Sequence, residues 1–319
     1  MRNVEHGGGI GGAKVIALVG ATGVGKTRVA IELCRRLDGE IIGADSVQVY
    51  RGLDIGSGKP TPAELGDVRH HMIDVVAPDE PIDAARFAAL ADAAIADVVR
   101  RGRVPIVVGG TGLWLRALLR GLVQAPPMDA ALRAELERRW VAEGRAAMHA
   151  RLRDVDPITA GQVHENDMVR VVRALEFHAQ TGRALGQARA EHALGAPRYD
   201  ALWLWLDQPR EPWLQAVEAR IDGMLAAGWL REVRELLERH SPPPRSLGSV
   251  GYRQLVDHLT RGVPLEETRR EISRATRLYG KRQRNWFRGE PGPQARIEPA
   301  AAMSDESLAR VRTHLDLSV

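Results

Sequence analysis

Only one cysteine, Cys34, occurs among the 319 residues. It has no partner for an internal disulfide, so a cytoplasmic protein is expected. Long apolar runs are lacking as well, because none approaches the roughly 18 residues that cross a bilayer. Residues 1–13 are rich in glycine and lack the apolar segment of a signal peptide, so they are expected to form a flexible tail. The sequence therefore favours a protein without a membrane partner.

Lysine is also scarce. Of the 45 basic residues, only four are lysines: Lys14, Lys26, Lys59 and Lys281. The formal net charge is +4 and the pI is about 9.5. This balance permits an acidic partner such as RNA without requiring one.

The most informative stretch is the octapeptide GATGVGKT, which matches the phosphate-binding pattern G-x-x-x-x-G-K-[ST]. An expected strand at 15–19 precedes it, and an expected helix at 28–37 follows it. Glycines let backbone N–H groups approach a phosphate, Lys26 adds positive charge, and the Thr27 hydroxyl can hold Mg2+. The pattern predicts a di- or triphosphate site at Gly20, Ala21, Thr22, Gly23, Val24, Gly25, Lys26 and Thr27.

The order of the remaining elements predicts an α/β fold, a P-loop NTPase-like parallel sheet covered by helices. Further strands are expected at 40–44, 72–76, 104–108 and 201–206, with helices at 83–101 and 113–120 between them. Between 126 and 198 the pattern is helical throughout, with helices at 129–143, 146–153 and 167–181. We therefore expect a core of residues 14–125 and 199–319 with an all-helical insertion at 126–198.

Asp45 ends the strand that follows the phosphate-loop helix, so it should lie at the same edge of the sheet as the phosphates. A carboxylate there can accept a proton from a nucleophile or bind magnesium. It can equally cap a turn or a helix, since Asp-Ser is a good capping pair. Nearby, Gln48 has the amide that can pair with an adenine edge.

The expected strand at 104–108 is followed directly by Gly109, Gly110 and Thr111. Many ATPases and GTPases place a magnesium-binding aspartate at such a strand end. An Asn-Lys-x-Asp guanine motif is missing too. These absences disfavour a nucleotide hydrolase and suggest that the diphosphate leaves from a molecule other than ATP.

A basic stripe is predicted on the helix at 265–287. Steps of four and three residues place six cations on one face, and no acidic residue lies between Ile272 and Gly289 to neutralise them. Trp286 at the end of this helix can stack on a base, although packing is the commoner role. The stripe comprises Arg270, Arg274, Arg277, Lys281, Arg284 and Arg288.

These motifs together resemble the tRNA dimethylallyltransferase (tRNA isopentenyltransferase) family from Lys14 to Gly289. The matching segments begin with GATGVGKT, DSVQVYRGLDIGSGKPT and HHMID, and continue with VGGTGLWLRALL, HENDMVRVVRALE, SVGYRQ and ATRLYGKRQRNWFR. Three residues depart from the family pattern. Ala21 replaces a proline, Trp114 replaces a tyrosine, and Val169 replaces a polar or basic residue.

The resemblance implies a donor, an acceptor and a division of roles. Dimethylallyl diphosphate would lie in the phosphate loop, and the nucleophile would be N6 of adenosine 37 in tRNAs that read codons beginning with U. Asp45 would accept the N6 proton. Charge on the diphosphate would be neutralised by Lys26, Thr27 with Mg2+, Thr111 and Arg220.

The resemblance also assigns residues to the tRNA anticodon stem-loop and implies a monomer. Ser46, Val47 and Gln48 would lie at the adenine together with Asp45 and Thr111. The remaining contacts would come from Arg133, Arg170, Arg173, Gly251, Tyr252, Arg253, Lys281, Arg282, Gln283 and Arg288. Three alternatives stay open: an adenylate prenyltransferase, a small-molecule kinase, and an RNA-binding protein gated by a nucleotide.

Overall fold

The computed structural model describes residues 12–193, 196–292 and 296–317. Most of the expected tail, at 1–11, lies outside the described residues. Within the described part, no helix is both long and apolar enough to cross a membrane.

The described strands form one parallel six-stranded sheet in the order β3-β2-β4-β1-β5-β6. The strand that carries the phosphate loop, β1, is central and buried on both faces, as its unbroken apolar run predicts. The strands are β1 (Lys14–Gly20), β2 (Gly39–Ala44), β3 (His70–His71), β4 (Val104–Gly109), β5 (Asp200–Leu206) and β6 (Arg296–Ile297).

The register brings several strand ends to one edge. Gly109 of β4 pairs with Ala44 of β2 and with Val19 of β1, and Gly20 pairs with Leu206 of β5. The phosphate loop, Asp45 and Thr111 therefore all begin where the parallel strands end, and this edge is where such folds bind ligands.

Helices cover both faces of the sheet and form the insertion. The first nine are α1 (Lys26–Leu37), α2 (Pro62–Leu65), α3 (Ala84–Arg100), α4 (Gly112–Arg120), α5 (Ala130–Glu143), α6 (Arg145–Val155), α7 (Pro157–Gln162), α8 (Met168–Thr181) and α9 (Leu185–Ala193). The others are α10 (Arg210–Ala226), α11 (Trp229–Arg239), α12 (Tyr252–Arg261), α13 (Leu265–Gly289) and α14 (Asp305–His314).

The prediction of a strand at 72–76 is wrong. The strand in this region is β3, and the chain after it turns because Met72 and Asp74 have φ angles of 66° and 56°. Two residues in the left-handed region break an extended run. Within 72–76, only Val76 forms a strand-like pairing, a single parallel bridge to Tyr50.

The described residues divide into two compact units, one from residues up to Arg120 and from Arg198 onward, the other from Gly121–Pro197. The insertion was expected at 126–198. Its own core packs Leu136, Met148, Val171 and Phe177 together. In the first unit, Trp114 stacks on Phe87 with ring centroids 4.4 Å apart, so this departure from the family pattern fills the interface between α3 and α4.

Candidate active site

The phosphate loop connects β1 to α1 with backbone angles that favour glycine. Gly23 and Gly25 have φ angles of 80° and 87°, where a side chain would be strained. Lys26 Nζ donates to the Gly20 and Ala21 carbonyls, each at 2.9 Å. The ammonium thus lies inside the loop, with a third N–H left for an anion.

Gln283 of α13 joins this loop to the end of β4. Its Nε2 donates to the Gly110 carbonyl at 3.0 Å, and its Oε1 accepts the Thr22 N–H at 2.9 Å. The Thr22 carbonyl in turn accepts the Trp213 indole N–H at 2.9 Å. Gln283 is buried, and its amide holds the phosphate loop. Its contact with tRNA stays a prediction.

Asp45 caps a turn and is also placed for chemistry. Its Oδ1 accepts the N–H groups of Val47 at 2.9 Å and Gln48 at 3.3 Å, so the capping interpretation is confirmed. Thr111 Oγ1 accepts the Ser46 N–H at 3.2 Å and lies 3.5 Å from Ser46 Oγ. The two strand ends that carry Asp45 and Thr111 are therefore bonded to each other.

Lys26 and Arg220 share an electrostatic environment with Asp45. Burial lowers the pKa of Lys26 to about 8; the Asp45 carboxylate opposes this shift, and the Arg220 charge adds to it. The pKa of Arg220 is also lowered by desolvation and is raised in part by Asp45. Two cations and one carboxylate thus meet at the phosphate loop, as the sequence predicted for Lys26 and Asp45.

Tyr279 was missed by the sequence reasoning. Its hydroxyl lies near the side chains of Thr111, Ser46 and Gln283. Burial, followed by the Asp45 charge, raises the pKa of Tyr279 to about 12, so the phenol stays protonated near neutral pH. A signal was available, because Tyr279 precedes Gln283 by four residues and therefore shares its helix face.

Gln48 and Arg220 meet at the loop of residues 54–59. Gln48 Nε2 donates to the carbonyls of Ser57 at 3.2 Å and Gly58 at 3.0 Å. Arg220 Nη2 donates to the Ser57 carbonyl at 3.4 Å. The amide nitrogen of Gln48 is therefore already bonded, and its oxygen is the atom that suits the amino group of a base.

A family model described as IPP transferase matches residues 48–290. The chain belongs to the IPP transferase family.

Curated relatives and solved structures agree with this assignment. The tRNA dimethylallyltransferase of Sorangium cellulosum is 48% identical over 277 residues, covering 87% of this chain and 88% of that protein. That of Anaeromyxobacter dehalogenans strain 2CP-1 is 50% identical over 279 residues, covering 88% and 91%.

Two solved structures extend the comparison to the fold. The full-length tRNA isopentenylpyrophosphate transferase of Bacillus halodurans is similar at a TM-score of 0.67, with 34% identity over 95% of each chain. A eukaryotic dimethylallyltransferase acting on tRNA gives a TM-score of 0.81 and 28% identity, covering 96% of this chain and 81% of that one. The P-loop NTPase-like fold expected from the sequence is confirmed.

The basic stripe of this IPP transferase is exposed except at Arg284. Arg270, Arg274, Arg277, Lys281 and Arg288 are exposed on α13, as is the neighbouring Arg282. Arg284 instead pairs with Asp207 at 2.9 Å and stacks over Trp213 at 4.3 Å. The expectation of an unneutralised cation is therefore wrong at Arg284, whose acidic partner comes from the end of β5. It is also wrong at Arg274, which pairs with Glu271 at 3.5 Å.

Trp286 packs within the protein. The Arg116 guanidinium lies 4.4 Å from the centre of the Trp286 ring and pairs with Glu290 at 2.7 Å. One ring face is thus covered, and packing prevails over stacking on a base.

Two residues of the SVGYRQ segment are structural. Tyr252 is fully buried and donates to Glu232 Oε1 at 2.7 Å, and Gly251 is buried where a side chain would overlap Trp229. The hydroxyl of Tyr252 is thus bonded within the protein, and its contact with RNA stays a prediction. Arg253, the next residue, is exposed on α12.

Within the insertion, two arginines predicted to contact RNA pair with one buried carboxylate. Glu176 lies 3.3 Å from Arg133 and 3.0 Å from Arg173. Both guanidiniums therefore compensate a charge that would be costly if left alone. Arg170 is exposed, 3.4 Å from Asp167 at the start of α8, and Val169 beside it is 68% exposed.

The residues of this site fit a magnesium ion held mostly by substrate. Thr27 is the second residue of α1, beside the loop. Among the described residues, no group of three or more His, Cys, Asp or Glu side chains could hold a metal. Mg2+ commonly takes one or two protein oxygens with phosphate oxygens and water. The Thr27 hydroxyl suits that pattern, whereas a site made of protein ligands alone does not.

Proposed function

We propose that this protein transfers the dimethylallyl group of dimethylallyl diphosphate to N6 of adenosine 37 in tRNAs that read codons beginning with U. The carrying observation is the sheet edge at the phosphate loop. There β4 ends in two glycines and Thr111, and the carboxylate near the loop is Asp45 at the end of β2. The names of the curated relatives support the same reaction.

The proposed step is a substitution at the first carbon of the dimethylallyl group. A bond forms between this carbon and N6 while its bond to the diphosphate oxygen breaks. The N6 proton passes to the Asp45 carboxylate, and the electron pair of the broken bond leaves with diphosphate. Because Val47 and Gln48 donate to one Asp45 oxygen, the carboxylate is held in one orientation for this transfer.

Diphosphate leaves with negative charge, which positive groups at the phosphate loop would neutralise. Lys26, Arg220 and the N–H groups at the start of α1 supply positive charge at this point. Mg2+, when bound through Thr27 and the phosphates, would neutralise further charge on the leaving group. Thr111 accepts the Ser46 N–H, and the Tyr279 hydroxyl lies near Thr111, Ser46 and Asp45.

The acceptor base must leave the anticodon loop to reach Asp45. Single-stranded loops allow this, because an unpaired base is extracted at low cost. Ser46 and the free oxygen of Gln48 would contact the adenine, and the exposed cations of α13 would bind the RNA backbone. A monomer working in the cytoplasm, where tRNA is found, completes the proposal.

The test is a transfer assay with purified protein, unmodified tRNA transcript, Mg2+ and dimethylallyl diphosphate, followed by digestion and mass spectrometry of nucleosides. Adenosine at position 37 heavier by one dimethylallyl group is the expected result. Gain of mass on AMP but not on tRNA would replace the proposal with an adenylate prenyltransferase. ATP consumption without transfer would replace it with a kinase.

A further inference from the structure

The loop of residues 54–59 is held in place by hydrogen bonds within its own backbone and by hydrogen bonds to the carboxylate of Glu232. Its ends are closed by the Gly58 N–H to the Ile55 carbonyl at 2.9 Å and the Lys59 N–H to the Asp54 carbonyl at 3.1 Å. This leaves the successive N–H groups of Asp54, Ile55 and Gly56 pointing to one side. Such a row of N–H groups is an anion-binding concavity.

Glu232 of α11 occupies that concavity. Its Oε2 accepts from the Asp54 N–H at 2.8 Å and the Ile55 N–H at 2.6 Å, and its Oε1 accepts from Gly56 at 3.2 Å. Tyr252 adds its hydroxyl to Oε1 at 2.7 Å. A surface ion pair cannot explain Glu232, since all four donors are uncharged groups at fixed positions.

Lys59 secures the other side of the same loop. Its side chain is only 7% exposed, and its Nζ donates to the Tyr50 carbonyl and to Asp54 and Asp74, each at 2.6 Å. This accounts for one of the four lysines in an arginine-rich chain, because a single ammonium can satisfy three acceptors in different directions.

Near the end of this loop, the carbonyls of Ser57 and Gly58 accept hydrogen bonds from residues of the candidate active site. Gln48 Nε2 bonds to both Ser57 and Gly58, and Arg220 Nη2 bonds to Ser57. A side chain at Gly58 would overlap Arg220 Nη2, so the backbone and the guanidinium are in close contact. The Ser57 carbonyl thus serves both the residue proposed for adenine and the residue proposed for diphosphate.

We propose that Glu232 is a positioning residue for the transfer reaction: by holding the N–H groups of residues 54–56, it fixes the carbonyls that orient Gln48 and Arg220. The inference rests on the proposed function for the roles of those two residues. Glu232 itself would contact neither substrate. Loss of its charge would loosen the loop and affect both substrates at once.

The decisive variant is Glu232→Gln, which keeps the size of the side chain but replaces one acceptor oxygen with an amide donor. We expect inorganic diphosphate to bind about tenfold to a hundredfold more weakly in calorimetry, in line with the loss of charge-assisted hydrogen bonds. In the transfer assay, KM should rise for both tRNA and dimethylallyl diphosphate. Glu232→Asp, which retains the carboxylate, should recover part of both losses.

Glu235 provides the matched control. It lies on the same helix, half exposed, and pairs with Arg239 on the surface. Glu235→Gln should bind diphosphate and turn over as the wild type does. Equal diphosphate affinity and equal KM values in the wild type and Glu232→Gln, whatever the change in Tm, would overturn the inference.

Gly58→Ala keeps the test decisive if Glu232→Gln does not fold. This substitution pushes directly on Arg220 and leaves Glu232 intact, so diphosphate affinity should fall about tenfold. Unchanged affinity would overturn the inference. Because diphosphate binding needs no transfer, a wild type that binds diphosphate but modifies no tRNA would disprove the proposed function while leaving the Arg220 part of this inference standing.

Discussion

Gln283 on the basic helix α13 donates to the Gly110 carbonyl at 3.0 Å across the carboxyl edge of the sheet. The same amide accepts the Thr22 N–H of the phosphate loop. A helix that presents cations to solvent on one face thus secures the diphosphate site with the other. Changes on the two faces should have separable effects.

Gln283→Ala should weaken the phosphate loop. It leaves the buried Thr22 N–H and Gly110 carbonyl without their partner, which costs about 1–3 kcal/mol of unfolding free energy for such groups. We expect a lower Tm and weaker diphosphate binding, measured by calorimetry. Arg288→Ala, on the exposed face of the same helix, should leave both unchanged; equal effects of the two variants would contradict the assignment.

Asp45→Asn should separate chemistry from binding. An asparagine oxygen can still cap Val47 and Gln48, but an amide cannot accept the N6 proton. Turnover should fall by about 10²–10⁴-fold, the usual contribution of a general base. Diphosphate affinity should change little. If turnover and affinity fell equally, Asp45 would be a binding residue and not the base.

The lowered pKa of Lys26 predicts a pH limit on donor binding. The lysine is protonated below its folded pKa of about 8 and loses its charge as the pH rises through that value. In the free enzyme kcat/KM for dimethylallyl diphosphate should therefore fall above about pH 8. Lys26→Arg, which stays protonated, should lack this limb in a pH profile, even if its overall rate is lower. An unchanged limb would assign the titration to another group.

Protonated Lys26 also opposes folding, because its folded pKa lies below the ordinary value of 10.5. The contribution of this residue to the free energy of unfolding should rise with pH between about 8 and 10.5. Urea unfolding of wild type and Lys26→Met across that range would detect it as a slope present only in the wild type.

Tyr279→Phe removes the hydroxyl near Thr111, Ser46 and Gln283 while keeping the ring. We expect kcat to fall by roughly tenfold, as for loss of one or two neutral hydrogen bonds. Because the pKa of Tyr279 is raised to about 12, the variant should keep the shape of the wild-type pH profile at lower height. A changed profile would mean that Tyr279 titrates during turnover.

Arg277→Ala and Arg284→Ala form a matched pair on one helix. Arg277 is exposed, so its loss should weaken tRNA binding and reduce the salt dependence by about one counterion, with no change in Tm. Arg284→Ala should lower Tm, because Asp207 loses the partner at 2.9 Å. Filter binding over a salt series, together with thermal unfolding, distinguishes the two. The reverse pattern would refute the division of the stripe.

Local patterns predicted most of the helices and strands, and the position of Asp45 near Lys26 of the phosphate loop. Unbroken apolar runs specified β1, β4 and β5. The helices expected to begin at residues 83, 129 and 167 do start there, and Asp83, Asp129 and Asp167 cap them. These features depend on neighbours within a few residues. A strand was predicted wrongly at 72–76 because two left-handed residues there are not glycine or asparagine.

Side-chain partners from distant segments were the part that sequence could not supply. Arg284 is neutralised from 77 positions away by Asp207, and Tyr252 is buried against Glu232 of another helix. The pattern of charges along one helix cannot reveal a carboxylate that the fold brings to it from the end of a distant strand. Tyr279 is different, since its spacing of four residues to Gln283 is visible in the sequence.

The parallel order of the sheet has a consequence for biosynthesis. The central strand β1 acquires β4 as a neighbour only after residue 109 has been made, and β5 only after residue 206. The hydrogen bond from the Thr22 N–H of the phosphate loop to Gln283 can form only after residue 283 has been made. A nascent chain thus carries an apolar strand with an open edge through most of its translation, a state prone to association with other chains. Ribosome-bound fragments should acquire diphosphate binding only when α13, which carries Gln283, has emerged.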